Sequence, residues 1–213
     1  HDPRQCWYFP APDALYSDRT PWDGETIRRR VNVLCSIAAH PPDWKPPVVF
    51  SSIWALMTLT TPPLILASGI QTVRVGDTVR LSQILETLVK YAYEPVSIVE
   101  QPGAFSARGG ILDIFPPNLD KPVRIELFGD EVESIRYFDP MTQRSLEQVD
   151  AVTLFPDSEA LTRYSQSALP CVVHDGVRDP VLASRLQRDQ ERLAAGEYFR
   201  GFEFYLPCLY PRR

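Results

Sequence analysis

Between Gln101 and Gln143 hydrophobic and polar positions alternate more regularly than anywhere else in the chain. In Val123-Arg124-Ile125-Glu126-Leu127-Phe128 the odd positions are aliphatic, while Arg124, Glu126 and Phe128 share the other face, which is the period-2 pattern of a half-buried strand. Gly129-Asp130 predicts a two-residue hairpin turn, with glycine supplying the positive φ. The returning strand is Glu131 to Phe138, with Val132 opposite Leu127 and Glu131 opposite Phe128; simple alternation then sets Glu126 directly across from Glu133. Upstream, Ile111 to Phe115 reads as a strand entered through Gly109-Gly110 and ended by Pro116-Pro117. Stretches around Pro95 to Glu100 and Ala104 to Ala107 add further strands. Leu81, Ile84, Leu85, Leu88 and Val89 fall at i, i+3, i+4, i+7 and i+8, so a helix over Leu81 to Tyr91 is predicted to cover the aliphatic face of this sheet.

The flanking segments carry α/β signals. Cys6 to Phe9 is a strand candidate stopped by Pro10, and Ala11 to Asp23 reads as a loop. Gly24 to Ala39 reads as a helix with Ile27, Val31, Leu34 and Ile37 toward a core and Arg28-Arg29-Arg30 spread over a solvated face. His40 to Pro47 is a proline-rich connector. Val48-Val49-Phe50 then predicts a short buried parallel strand, followed by a helix over about Ser51 to Thr58 capped by Ser51 or Ser52. Thr60 to Ser68, with Pro62-Pro63, reads as a loop. Ser145 to Phe155 is a last strand or an extended return path. Asp179-Pro180 opens a helix whose Leu182, Leu186 and Leu193 share one side before Gly196 ends it, and the aromatic run Phe199 to Tyr210 is expected to contact the core. The expected organisation is α/β (α+β): a discontinuous α/β part, residues 1–69 and 156–213, interrupted by a small mixed sheet-plus-helix domain, residues 70–155.

A chain of 213 residues, 44% hydrophobic and 23% charged, has the composition of a globular protein with enough apolar residues for one or two cores. Its 21 prolines favour short elements separated by loops. A net charge of −5 argues against this stretch being a major phosphate-binding surface and directs attention to a protein partner. Cys6, Cys35, Cys171 and Cys208 include no C-x-x-C pair, so all four are expected as free thiols in a reducing, cytoplasmic setting. No apolar run approaches the ~20 residues of a membrane-spanning helix. The chain starts at His1, which is read as the start of a fragment of something longer.

The polar face of the predicted hairpin holds the candidate chemistry. Phe128 projects from it beside Arg124, Glu126, Glu131 and Glu133, with Arg108 just ahead of the preceding strand. An arginine–aromatic cluster on an open sheet has the composition of a protein-binding hot spot. The same residues also suit a second reading, in which the arginines neutralise the glutamates and Phe128 packs under a loop. Pattern alone leaves both open.

The run Phe105 to Pro117, then Val123 to Arg136 and Phe138-Asp139, resembles the bacterial transcription-repair coupling factor (Mfd) family, in the module these proteins share with the excision-repair protein UvrB. More weakly, the resemblance extends over nearly the whole chain, including the tail Gly196 to Pro207. It implies that the outer part is RecA-like, with a degenerate phosphate loop, and that the inserted sheet module binds UvrA through the positions of Arg108, Arg124 and Phe128. In that family ATP and Mg²⁺ serve translocase domains elsewhere, and RNA polymerase and double-stranded DNA are bound by other domains. UvrB itself inserts a tyrosine-rich hairpin for which the loop between Tyr8 and Arg28 is too short.

Other chemistries find little support. No G-x-x-x-x-G-K-[ST], G-x-G-x-x-G or G-x-S-x-G occurs, and His1, His40 and His174 show no metal-ligand spacing. No cofactor is therefore expected in this stretch, and it is read as a binding module rather than an enzyme. Only the cross-strand pair Glu126 and Glu133 suggests acid/base work, each carboxylate raising the other's pKa.

Overall fold

The computed structural model describes residues 6–12, 20–39, 45–172 and 177–210. Parts of the expected 11–23 loop and 40–47 connector, all three histidines and the terminal arginines lie outside the described residues. Four strands of the sheet module form as their alternation requires: β5 (Ala104–Arg108), β6 (Ile111–Ile114), β7 (Val123–Phe128) and β8 (Glu131–Phe138). They occupy the middle of a six-stranded sheet ordered β4-β5-β6-β7-β8-β9, with the short β4 (Glu94–Pro95) and β9 (Ser145–Val149) at its edges. The β4–β5 pair is parallel and the other pairs are antiparallel. The expected return path splits, because β10 (Ala151–Leu154) leaves this sheet to pair with β3 (Gln71–Arg74).

Two turns show why glycine is needed. Gly109 sits at φ +59 in the β5–β6 turn, and a Cβ on Gly110 would lie 2.6 Å from the Leu127 carbonyl oxygen. The Gly110 carbonyl instead accepts from the Leu127 N–H at 2.7 Å, joining this turn to the next strand. Gly129 takes φ +64 in the β7–β8 hairpin.

Helix α4 (Leu81–Lys90) lies over the aliphatic face, where Ile84 and Leu88 join Leu112, Ile114, Val123, Ile125, Val132 and Ile135 in the main core. Leu112, Ile114, Val123, Ile125 and Ile135 are fully buried. Each such side chain contributes about 1.5–3 kcal/mol of transfer free energy, so this face dominates the module's stability.

Outside the module, β1 (Cys6–Phe9) and β2 (Val48–Ser51) pair in parallel, separated in sequence by α1 (Gly24–Ala38), whose first turn is capped by the Asp23 carboxylate. Three readings of this region are corrected. Strand β2 is not buried: Val48, Val49 and Phe50 are all exposed, because among the described residues the two-stranded pair has no further strand or helix to cover both faces. Nor is Arg30 solvated; it has no exposed surface. Its Nε donates to Glu159 at 2.5 Å, its Nη1 donates to the Pro10 carbonyl at 3.0 Å, and its guanidinium lies 4.3 Å from the Phe9 ring centroid and 5.2 Å from that of Trp22. Ile37, expected in the core stripe, is exposed, and Val33 and Cys35 are buried instead. The helical pitch turns this stripe toward two cores rather than one.

The short helix α2 (Ile53–Met57) is capped by Ser52. Thr60 to Ser68 is not all loop. Pro63 starts α3 (Pro63–Ala67), where a first-turn proline costs no hydrogen bond, and Leu66 packs with Val31, Cys35 and Phe155. Later in the chain α5 (Ser165–Ala168), α6 (Pro180–Ala195, ended by Gly196 at φ +70) and α7 (Leu206–Leu209) surround the aromatic core of Phe199, Phe202, Tyr205 and Tyr210. The segments before and after the sheet module thus pack on each other. Cys171 and Cys208 also depart from expectation. They lie 37 residues apart, but this helical packing brings their Cα atoms to 6.4 Å and they form a disulfide; Cys6 and Cys35 are free.

Candidate protein-binding face

Strand register decides which side chains share the sheet's outer face. Ser106 pairs with Asp113, Asp113 with Arg124, Arg124 with Arg136 and Arg136 with Gln148, so one polar row crosses five strands. A second row runs Arg108, Ile111, Glu126, Ser134. Phe128, paired with Glu131, ends the face at the hairpin tip.

Arg108, Arg124 and Phe128 therefore do share one face, but in different states. Phe128 is 79% exposed and does not pack under a loop. Arg124 is half-buried, and its Nε and Nη2 donate to the two Asp113 oxygens at 2.7 and 2.8 Å, a bidentate fork. The hydrogen bonding to the Asp113 carboxylate is the main cause that holds the Arg124 pKa above its ordinary value. The guanidinium also lies 4.9 Å from the Phe138 ring centroid, at the edge of a small cluster of Val99, Ala104, Phe115 and Phe138 that covers one end of the face. Arg108 is exposed and donates through Nη2 to the Ser97 carbonyl, which also accepts from the Ser106 hydroxyl at 3.3 Å.

The glutamate pair is corrected. A bulge between Glu126 and Leu127 leaves Glu133 without a partner residue and sets Glu126 against Ser134. The bulge is what allows Val132 and Ile135, three residues apart, to face the same core. The Glu126 carboxylate accepts from the Ser134 hydroxyl at 2.7 Å and lies 3.1 Å from the Arg136 guanidinium. No carboxylate dyad remains here for acid/base catalysis.

Two roles escaped the sequence reading. Asp113 is the orienting partner of Arg124, and Arg136 extends the row of guanidinium groups. The first had a signal, a lone carboxylate inside the apolar run Ile111-Leu112-Asp113-Ile114-Phe115; the second was hidden by the bulge.

A cleft of about 750 Å³ separates this module from α1 and the tail, lined among others by Trp22, Arg28, Tyr93, Gly103, Asp157 and Tyr198. Asp157 presses on Gly103, where a Cβ would lie 2.3 Å from a carboxylate oxygen. Burial pushes its carboxyl up to about 7, against the pull of Arg28. Among the described residues no helix is long and apolar enough to cross a membrane.

Residues 72–159 match the family described as the UvrB interaction domain. The chain is similar to the transcription-repair-coupling factor of Myxococcus xanthus, 33% identical over 86% of the chain and 15% of the relative. It is also similar to that of Mycobacterium bovis, 32% over 95% of the chain and 17% of the relative, and to that of Bacillus subtilis, 28% over 98% and 18%. The chain thus spans less than a fifth of the length of these curated relatives. With the sheet module and both flanking segments falling within these matches, the chain belongs to the transcription-repair-coupling factor family, in the region that carries the UvrB interaction domain.

Proposed function

We propose that this chain recruits UvrA in transcription-coupled nucleotide excision repair, using the polar face of its six-stranded sheet. Phe128 is the apolar anchor, and Arg124 and Arg108 are the charged contacts. One observation carries the reading: a phenylalanine 79% exposed at the tip of a hairpin, on the same face as a guanidinium already fixed by Asp113. An anchor of this kind gains on binding the burial it lacks in the free protein, and a pre-oriented arginine loses little side-chain entropy. In the longer protein, RNA polymerase, double-stranded DNA and ATP are engaged by other regions, and this chain supplies the recruiting surface.

Calorimetry of the purified chain with UvrA tests the proposal. Phe128→Ala is expected to weaken binding by about 2 kcal/mol or more, roughly thirtyfold, with an unchanged unfolding midpoint. Undiminished affinity in that variant, or no binding by the folded wild-type chain, overturns it.

A further inference from the structure

The chain is acidic overall, but one pocket is not. A depression of about 270 Å³ beside α6 is lined by Arg185, Arg188, Arg192 and Arg200, with Asp189, Pro21, Gly201 and Phe204 completing it. Asp189, the only carboxylate in the lining among the described residues, accepts from the Tyr205 hydroxyl at 2.7 Å. None of the four arginines forms an ion pair among the described residues.

Their placement follows from helix geometry. Arg185, Arg188 and Arg192 are spaced i, i+3 and i+7, so they form one row about 10 Å long. Arg200 joins them from the turn beyond Gly196. Arg188 spends only its Nε, on the Ser184 carbonyl at 3.2 Å, which leaves both terminal nitrogens unused and steadies the side chain. Arg192 lies over the Phe199 ring at 5.7 Å. Complementing the helix dipole accounts for a cation in the last turn, where Arg192 sits, but not for Arg185 and Arg188, which lie further in. Four like charges around one small pocket repel each other, and an anion relieves that repulsion.

We propose that this pocket binds a phosphoryl group, held by the forked guanidinium donors of Arg185, Arg188, Arg192 and Arg200. Guanidinium matches phosphate oxygens two at a time, and the pocket's size suits a phosphate or pyrophosphate. The source is a free phosphorylated ligand or the backbone of a nucleic-acid strand. The site is separate from the sheet face and does not depend on it.

The test is calorimetry of the full 213-residue chain with inorganic pyrophosphate, a nucleoside monophosphate and a short single-stranded oligonucleotide, each at low and moderate salt. Saturable pyrophosphate binding is expected, weakened about tenfold by Arg188→Ala and again by Arg192→Ala. All four arginines are exposed, so these variants keep the fold. Removing two charges elsewhere, with Arg74→Ala and Arg80→Ala, should leave affinity unchanged. An oligonucleotide that binds more tightly than pyrophosphate, with a steeper salt dependence, identifies a strand backbone as the source, and equal affinities identify a single phosphoryl ligand. No saturable binding of any probe, or equal binding by the pocket variants and wild type, overturns the proposal.

Discussion

Two arginine–carboxylate pairs built from the same groups do different work. Arg30 and Glu159 have side chains 0% and 1% exposed, whereas Arg124 and Asp113 are 21% and 10% exposed. The first pair joins α1 to the segment after the sheet module, 129 residues away, and is surrounded by the Pro10 carbonyl, Phe9 and Trp22. Burial pushes the Glu159 carboxyl up even though Arg30 pulls it down, so taking this carboxylate out of water opposes the pairing that Arg30 supplies. The second pair keeps an edge in water and leaves part of its guanidinium free for another molecule. Excluding water makes such a pair a tie between segments; leaving one side open makes it a surface that presents a charge in a set orientation.

Breaking the buried tie should have the largest effect. Arg30→Ala strands Glu159 without a partner and is expected to cost about 3–5 kcal/mol in a denaturant-unfolding experiment, while the double change Arg30→Met with Glu159→Leu recovers most of that loss. A loss below about 1 kcal/mol would erase the distinction between the two pairs.

An intermediate effect is expected at Asp157, which is only partly buried at the edge of the cleft and has no ion-pair partner among those described. Its carboxyl is raised from 3.8 to about 7, so between these pH values the folded state holds a proton that the unfolded state has released. Its contribution to stability is therefore complete below about pH 4 and lost as pH rises through about 7. Asp157→Asn should flatten stability over this window and stabilise the protein above pH 7 by about 2 kcal/mol, less than the full shift implies because the side chain borders the open cleft. Urea midpoints measured from pH 4 to 8 would show it.

The smallest effect on folding is expected from Arg124→Lys, which keeps the charge but loses the fork to Asp113. Thermal unfolding should report less than about 1 kcal/mol, as for other partly exposed pairs, while affinity for UvrA falls by a larger factor. Equal losses in the two measurements would make Arg124 a structural tie like Arg30.

Legibility in the sequence follows the range of the interactions. The sheet module was readable because its signals are local: period-2 alternation in Val123 to Phe128, a glycine at each tight turn, and the i, i+3, i+4 stripe of α4. The bulge at Glu126 was not, since alternation alone carries no sign of an extra residue, although the spacing of Val132 and Ile135 was a clue. Arg28-Arg29-Arg30 read as spread over a solvated face because three successive helical positions differ only in direction, and only the packed partner shows which direction is inward. Cys171 and Cys208 read as isolated thiols because sequence distance says nothing about the 6.4 Å between their Cα atoms.

The residues by themselves determined the hairpin, the covering helix, the cap at Asp179, and the shared face of Arg124 and Phe128 within one strand. Each of these depends on backbone geometry within a few residues. Tertiary structure alone decided that Arg124 is held by Asp113, that Arg30 is buried on Glu159, and that four arginines of a net acidic chain meet at one pocket. A charge acquires its partner and its dielectric surroundings only when distant segments pack together, and that packing is a property of the whole fold.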